Sequence, residues 1–286
     1  MVDIGERIVA YAGQARPGTP YTPPSRTQRE RLAQGVGRLL DGDAEGAERD
    51  LGAAGFRVTA LTDTVSGRRY DEVAARGTGA EARWGRLYVT ADARVRWSVQ
   101  VPHPVADRGT EAVGARLLEG TPGGALVLAG AHRTAGRGDA ADVAHRTDSV
   151  FHAIVSELQE RGVPGIQVHG FARTPDRPHD VILSTGAART APGEVVRLAD
   201  RMDGGDLRVC RGWADRCPLE GTTNVQGRAA KRRGVTFLHA ELAPEVRSGG
   251  AETARAVAAL SGLLVDWSEG PHAPLTPPAP AAPRSR

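Results

Sequence analysis

Four of the chain's eight histidines follow short apolar runs. His103 and Asp107 come after WSVQV, His132 and Arg133 after ALVLAGA, His169 after GIQV, and His239 with Glu241 after VTFL. Histidines and carboxylates gathered at the ends of successive strands are the donors a catalytic zinc ion takes. Such an ion has three protein ligands and an open position for water, which ionises near neutral pH, and it polarises a carbonyl. His103 and Asp107 supply two donors from one loop, with Glu111 as the rival to Asp107, and His169 supplies a third from a distant strand. Gly170 beside it lets the backbone turn sharply beneath a bound group. Plainer readings stand next to these. Glu111 in a first helical turn offsets the helix dipole, Asp107 suits a cap or turn, and Glu241 suits a solvated strand end. A different grouping, His132, Asp142, His145 and His152, suits a two-metal phosphoesterase, and a metal-free binding module of the same fold is a third possibility.

The elements that must position these residues alternate along the chain. Strand-like runs at VRWSVQV, GALVLAGAH, GIQVHGFA, DVILSTG, DLRVC and GVTFLHAEL are separated by amphipathic stretches such as EAVGARLLEG, DSVFHAIVSELQERG, GEVVRLADRM and AETARAVAALSGLL. Short apolar strands between amphipathic helices predict a three-layer α/β/α sandwich with a mixed, mostly parallel sheet. Ligands gather at the carboxyl ends of strands in such sheets. Residues 1–26, rich in Pro, Gly, Thr and Ser, read as an extended arm. Residues 27–90 read as a small N-terminal layer of two helices and hairpin strands, 91–268 as the α/β metallohydrolase domain, and 269–286 as a disordered Pro/Ala tail.

Bulk properties exclude some functions. A net charge of +3 over 286 residues, with no basic cluster interleaved with aromatics, does not point to nucleic acid. No apolar run approaches the ~20 residues needed to span a bilayer. The first residues show no signal peptide, so the expectation is a cytoplasmic chain, or a secreted one whose leader has been removed. Cys210 and Cys217 suit a small disulfide loop or two free thiols equally well. Oligomeric state is left open.

The succession VPHPVAD, GIQVHG and GVTFLHAELAPEVR resembles the zinc carboxypeptidase-like amidohydrolase superfamily, over roughly residues 95–260. The likeness is to its branch of N-formylglutamate amidohydrolases, acylamino-acid deacylases and poly-γ-glutamate hydrolases. The resemblance implies His103, Asp107 and His169 as zinc ligands and Glu241 as general base. One departure is that the superfamily's first motif has a Glu two to four positions after the His, where this chain has Asp107, and Glu111 lies farther on. The segment LEGTTNVQGR resembles the part that supplies substrate-binding groups, which implies Asn224 and Arg228. The segments AGAHRTA and ADVAHRTDSVFH have no counterpart, so His132, Arg133, Asp142 and His145 would define a pocket of their own. The implied reaction is zinc-dependent hydrolysis of a peptide, γ-glutamyl or N-acyl amino acid amide. The implied substrate is a small molecule or peptide carrying a carboxylate, and Arg133 or Arg228 would neutralise that group or the oxyanion.

Overall fold

The computed structural model describes residues 1–270, so the segment expected as a Pro/Ala tail lies, from 271 onward, outside the described residues. Nine strands form one mixed sheet in the order β1-β2-β3-β5-β4-β6-β9-β7-β8. They are β1 (Phe56–Thr62), β2 (Arg69–Ala75), β3 (Arg86–Thr90), β4 (Trp97–Val101), β5 (Gly124–Leu128), β6 (Gly165–Gly170), β7 (Val181–Ser184), β8 (Val209–Arg211) and β9 (Phe237–Leu242). The central run β5-β4-β6-β9 is parallel, as is β7 with β8. The remaining pairings, β1-β2, β2-β3, β3-β5 and β7-β9, are antiparallel.

Helices cover both faces. Along β5, Leu126 and Leu128 enter one core with residues of α1 (Ile4–Ala12), α4 (Thr110–Gly120), α6 (Gly193–Gly204) and α8 (Ala251–Glu269). Ala125 and Val127 enter the other, with residues of α2 (Arg26–Leu40), α3 (Ala44–Ala53) and α5 (Val150–Glu160). That split is the period of two in a strand buried on both sides. The short α7 (Val225–Arg233) packs against α5 and β9 on the second face.

Two expectations for the N-terminal part are corrected. The opening residues are not wholly extended, because Asp3 caps α1 and Ile4, Ile8, Tyr11 and Ala12 form a buried stripe at helical spacing. The helix is pinned by Arg7, whose Nε donates to the fully buried Glu72 at 2.9 Å, while Arg86 donates to the same carboxylate at 2.8 Å. Residues 27–90 do not stand before the sandwich as a layer of their own, since β1, β2 and β3 extend the common sheet through the β3–β5 pairing. An isolated hairpin layer is marginal in water, and joining the sheet satisfies its free edge. At the other edge, Cys210 of β8 is bonded to Cys217, which decides between disulfide and thiols.

Among the described residues, no helix is long and apolar enough to cross a membrane.

Candidate metal centre

The alternation that builds the core also builds the site. Ile166 and Val168 of β6, and Leu238, Ala240 and Leu242 of β9, belong to the first core. The intervening Gln167, His169, His239 and Glu241 therefore share the opposite face. The parallel register sets Gln167 beside His239 and His169 beside Glu241. The loop after β4 completes the set by returning over this polar strip with His103 and Asp107 buried.

His103, Asp107 and His169 each offer a ligand atom, and these atoms lie within 4.8 Å of one another. Asp107 Oδ2 is 3.3 Å from His103 Nδ1 and 3.4 Å from His169 Nδ1. Those separations match the ~3.4 Å edge of a tetrahedron built on zinc bonds of about 2.1 Å. The donor set, two imidazoles and a carboxylate, is one zinc takes. Glu111 joins no such group; its Oε1 accepts from the Gly109 amide at 3.3 Å, at the start of α4. A second group, overlapping at His169, contains His239 and Glu241. His239 Nδ1 and Glu241 Oε2 are both buried without a hydrogen-bond partner. Both residues belong to the histidine and carboxylate cluster, where a bound group would satisfy such atoms.

The protonation states follow from these surroundings. Burial works against a charge on His103, yet hydrogen bonds to Asp107 and Asp142 outweigh it and hold its pKa above the usual value. Burial alone would raise Asp107, but the hydrogen bond and charge of His103 beside it keep its carboxyl well below the usual range. His169 is pushed down to about 4, chiefly by burial. Glu241 is pushed up to about 8, by burial first and by the charge of Asp107 second, against the opposing charges of His103, Arg133 and Arg177. Perturbed groups packed this closely are characteristic of catalytic clefts.

Asp142 is the second support of the cluster. Its Oδ1 accepts from His103 Nε2 at 2.8 Å, and its Oδ2 accepts from Arg133 Nη2 at 2.7 Å. A carboxylate on the far nitrogen leaves His103 Nδ1 as the ligand atom and fixes the ring. The grouping of His132, Asp142, His145 and His152 is not gathered into a site of its own. His132 turns to Thr134, His145 lies 3.2 Å from Asp142, and His152 is buried against Gln226 and Ser156. The two-metal phosphoesterase reading is dropped for that reason.

Other residues singled out in the sequence lie as follows. Arg133 is partly exposed, and its charge reaches His103, His169 and Glu241. His132 lies beside it, with its pKa lowered by burial and by the Arg133 charge. Asn224 is buried as the cap of α7, where Oδ1 accepts from the Gly227 amide at 2.9 Å and Nδ2 donates to Gln167. Both ends of its amide are thus engaged in the fold. Arg228 points outward and donates to Thr222 O at 3.2 Å. Sequence reasoning did not find Arg177, whose Nε is buried without a hydrogen-bond partner and whose charge acts on Glu241.

The loops are knitted by Arg247, which donates to Leu242 O and Phe171 O at 3.2 Å each, and to Arg108 O. Gly109 is wedged against the same residue. It has φ +91°, and a Cβ there would lie 2.2 Å from Arg247 O. Both the backbone conformation and the contact demand glycine. Gly109→Ala is therefore expected to cost about 2 kcal/mol or more, read as a lowered denaturation midpoint with an unchanged m-value. An unchanged midpoint would show that the Asp107 loop is not held as described.

No protein-family model and no curated protein matches the chain. Among solved structures it is similar to the N-formylglutamate amidohydrolase from Ralstonia eutropha JMP134, at 14% identity over 63% of this chain and 95% of that one, with a TM-score of 0.41. It is also similar to a metallo-carboxypeptidase from Burkholderia cenocepacia, at 12% identity over 87% and 70%, with a TM-score of 0.41. A third is the ectoine utilization protein EutE (DoeB) from Ruegeria pomeroyi, at 13% identity over 76% and 72%, with a TM-score of 0.46. Fold likeness does not carry activity, so the chemistry rests on the side chains.

Proposed function

We propose that the chain is a zinc-dependent hydrolase of amide bonds in small molecules or peptides that carry a carboxylate. The observation that supports this most is the meeting of His103, Asp107 and His169 around one point, with the unpartnered carboxyl of Glu241 beside it. Zinc held by those three residues would supply a Lewis acid for the scissile carbonyl and lower the pKa of water toward neutrality.

The chain's own residues do the rest. Glu241 takes a proton from the attacking water and returns it to the leaving nitrogen, a role that its buried carboxyl, unpartnered at Oε2, is placed to fill. Asp142 holds the His103 ring, and Arg133, tethered to Asp142 through one nitrogen, keeps other donors for a carboxylate or a developing oxyanion. Arg177 offers a second cation on the Glu241 side. His132 lies next to Arg133 and fits a substrate contact at the rim, whereas Arg228 is kept only as an outer contact.

Metal analysis of the purified full-length chain is the first test, with one zinc per chain expected. A screen of N-acyl amino acids and γ-glutamyl peptides then reads the reaction. A chain that contains no metal and binds no added zinc would remove the proposal.

A further inference from the structure

Behind His169, on the same face of the sheet, lies a set of buried amides that the chemistry above does not use. Gln100, Gln167 and Gln226 are each no more than 1% exposed, and Asn224 is 2% exposed. We propose that Gln167 is a positioning residue: its amide, locked in one orientation by backbone anchors, fixes which nitrogen of His169 faces Asp107. This rests on the zinc reading for its functional meaning, but not for its geometry.

An amide side chain can be turned over, and an imidazole can carry its proton on either nitrogen, so neither states its own orientation. Backbone groups do, because a carbonyl only accepts and an N–H only donates. The first anchor is Val143 O, which accepts from Gln226 Nε2 at 2.9 Å. Gln226 must therefore turn its Oε1 toward Gln167, 3.3 Å from Gln167 Nε2. The second anchor is Pro164 O, which accepts from Ser98 Oγ at 3.3 Å. The Ser98 hydroxyl then accepts from Gln100 Nε2 at 3.2 Å, and Gln100 Oε1 accepts from Gln167 Nε2 at 3.1 Å. The third anchor is the Gly227 amide, which donates to Asn224 Oδ1 at 2.9 Å and so presents Asn224 Nδ2 to Gln167 Oε1.

The Val143 and Gly227 anchors each demand the same orientation of Gln167, and the route through the rotatable Ser98 hydroxyl agrees with it. Its NH2 serves two acceptors, and its oxygen accepts from Asn224 and has one acceptor site left. That site faces His169 Nε2 at 2.8 Å. An amide oxygen cannot donate, so the imidazole proton sits on Nε2. In the neutral ring the lone pair is left on Nδ1, the atom that faces the other proposed donors, 3.4 Å from Asp107 Oδ2. Every donor and acceptor of the Gln167 side chain is then satisfied, which is the condition under which a buried polar network rigidifies rather than weakens a core.

The test uses the full-length chain. In metal-free wild type, the His169 Nε2 proton is expected as an exchange-protected resonance in ¹H–¹⁵N spectra of the imidazoles, with no Nδ1–H form. Q167M removes the acceptor and is expected to lose that protection, admit the Nδ1–H form and weaken zinc binding by about 10–100-fold. Q167E keeps an acceptor for His169 but loses the donors to Gln100 and Gln226, so it is expected to destabilise the fold while retaining the His169 resonance. If Q167M does not fold, N224D preserves the α7 cap, sets a carboxylate oxygen against Gln167 Oε1, and is expected to admit the Nδ1–H form. A merely structural Gln167 would make Q167M and Q167E lose zinc affinity alike and leave the tautomer unmoved, and either result overturns the proposal. A wild type that binds no zinc defeats the hydrolase reading instead, and the metal-free spectra still decide the relay.

Discussion

Glu241→Gln is expected to keep the zinc content of the wild type and to lose about 10²–10⁴-fold in kcat. The side chain is buried on β9 beside His169 and presents an Oε2 that no group among the described residues satisfies. Glutamine preserves its size and hydrogen-bonding reach but cannot take a proton, so the loss reports proton transfer rather than collapse of the site. A variant as active as the wild type would take Glu241 out of the base role. The same residue carries a pH signature in the metal-free chain. Its folded pKa, about 8, is raised above the ordinary value of 4.5, so between those pH values the folded state binds the extra proton. Its contribution is fully present below about 4.5 and is lost as pH rises through about 8. The stability difference between wild type and the glutamine variant, followed by denaturant unfolding, should shift against the wild type as pH rises across that window. A difference flat with pH would contradict the buried, protonated state.

His103→Ala and His169→Ala are each expected to abolish stoichiometric zinc. Each removes one of three donors from a point where the remaining two cannot hold the ion against water, and neither side chain has a neighbour of the same kind free to replace it except His239. That exception makes the pair of variants informative. His239 stacks on His169 at 4.4 Å between ring centroids, whereas the His103 ring meets His169 edge-on at 5.0 Å. Metal analysis after dialysis reads the loss directly. Thermal unfolding reads it through linkage, since zinc at about 100 times its dissociation constant should stabilise the wild type by about 2.7 kcal/mol and leave the variants unchanged. Stoichiometric zinc in both variants would dismiss the site.

Much of the site was legible because its charged members end apolar runs. His103, Asp107, His169 and Glu241 stand out against WSVQV, GIQV and VTFL, and a sheet covered on both faces brings strand ends together. What holds those residues in place was not legible. Gln100 and Gln167 are uncharged amides inside apolar strands, and their meaning depends on the register that sets Gln100 beside Gln167 and Gln167 beside His239. Asp142, 39 positions from His103, invited grouping with its sequence neighbours until the fold tied it to the histidine after β4. The left-handed turn at Gly109 sends Glu111 into α4 while Asp107 stays grouped with His103 and His169, a placement set by the loop and not by spacing. The helix α1 was masked by the Pro- and Gly-rich residues that follow it, although Ile4 and Ile8 already had helical spacing.

The position of β9 bears on the order in which the protein is completed during synthesis. Among the described residues it is the last strand, yet it lies between β6 and β7, and its pairings are the only ones there that tie β7 and β8 to the rest of the sheet. The three proposed metal donors all emerge by β6, whereas Glu241 arrives on β9 and the Arg247 tie comes later still. A nascent chain can thus gather the three proposed donors well before it has Glu241. Through that interval the edge of β6 is unpaired and the β7–β8 pair is unattached, an arrangement prone to strand addition by other chains. Release of a chain cut short before β9 would leave a species that carries the three proposed donors without Glu241 and is disposed to aggregate.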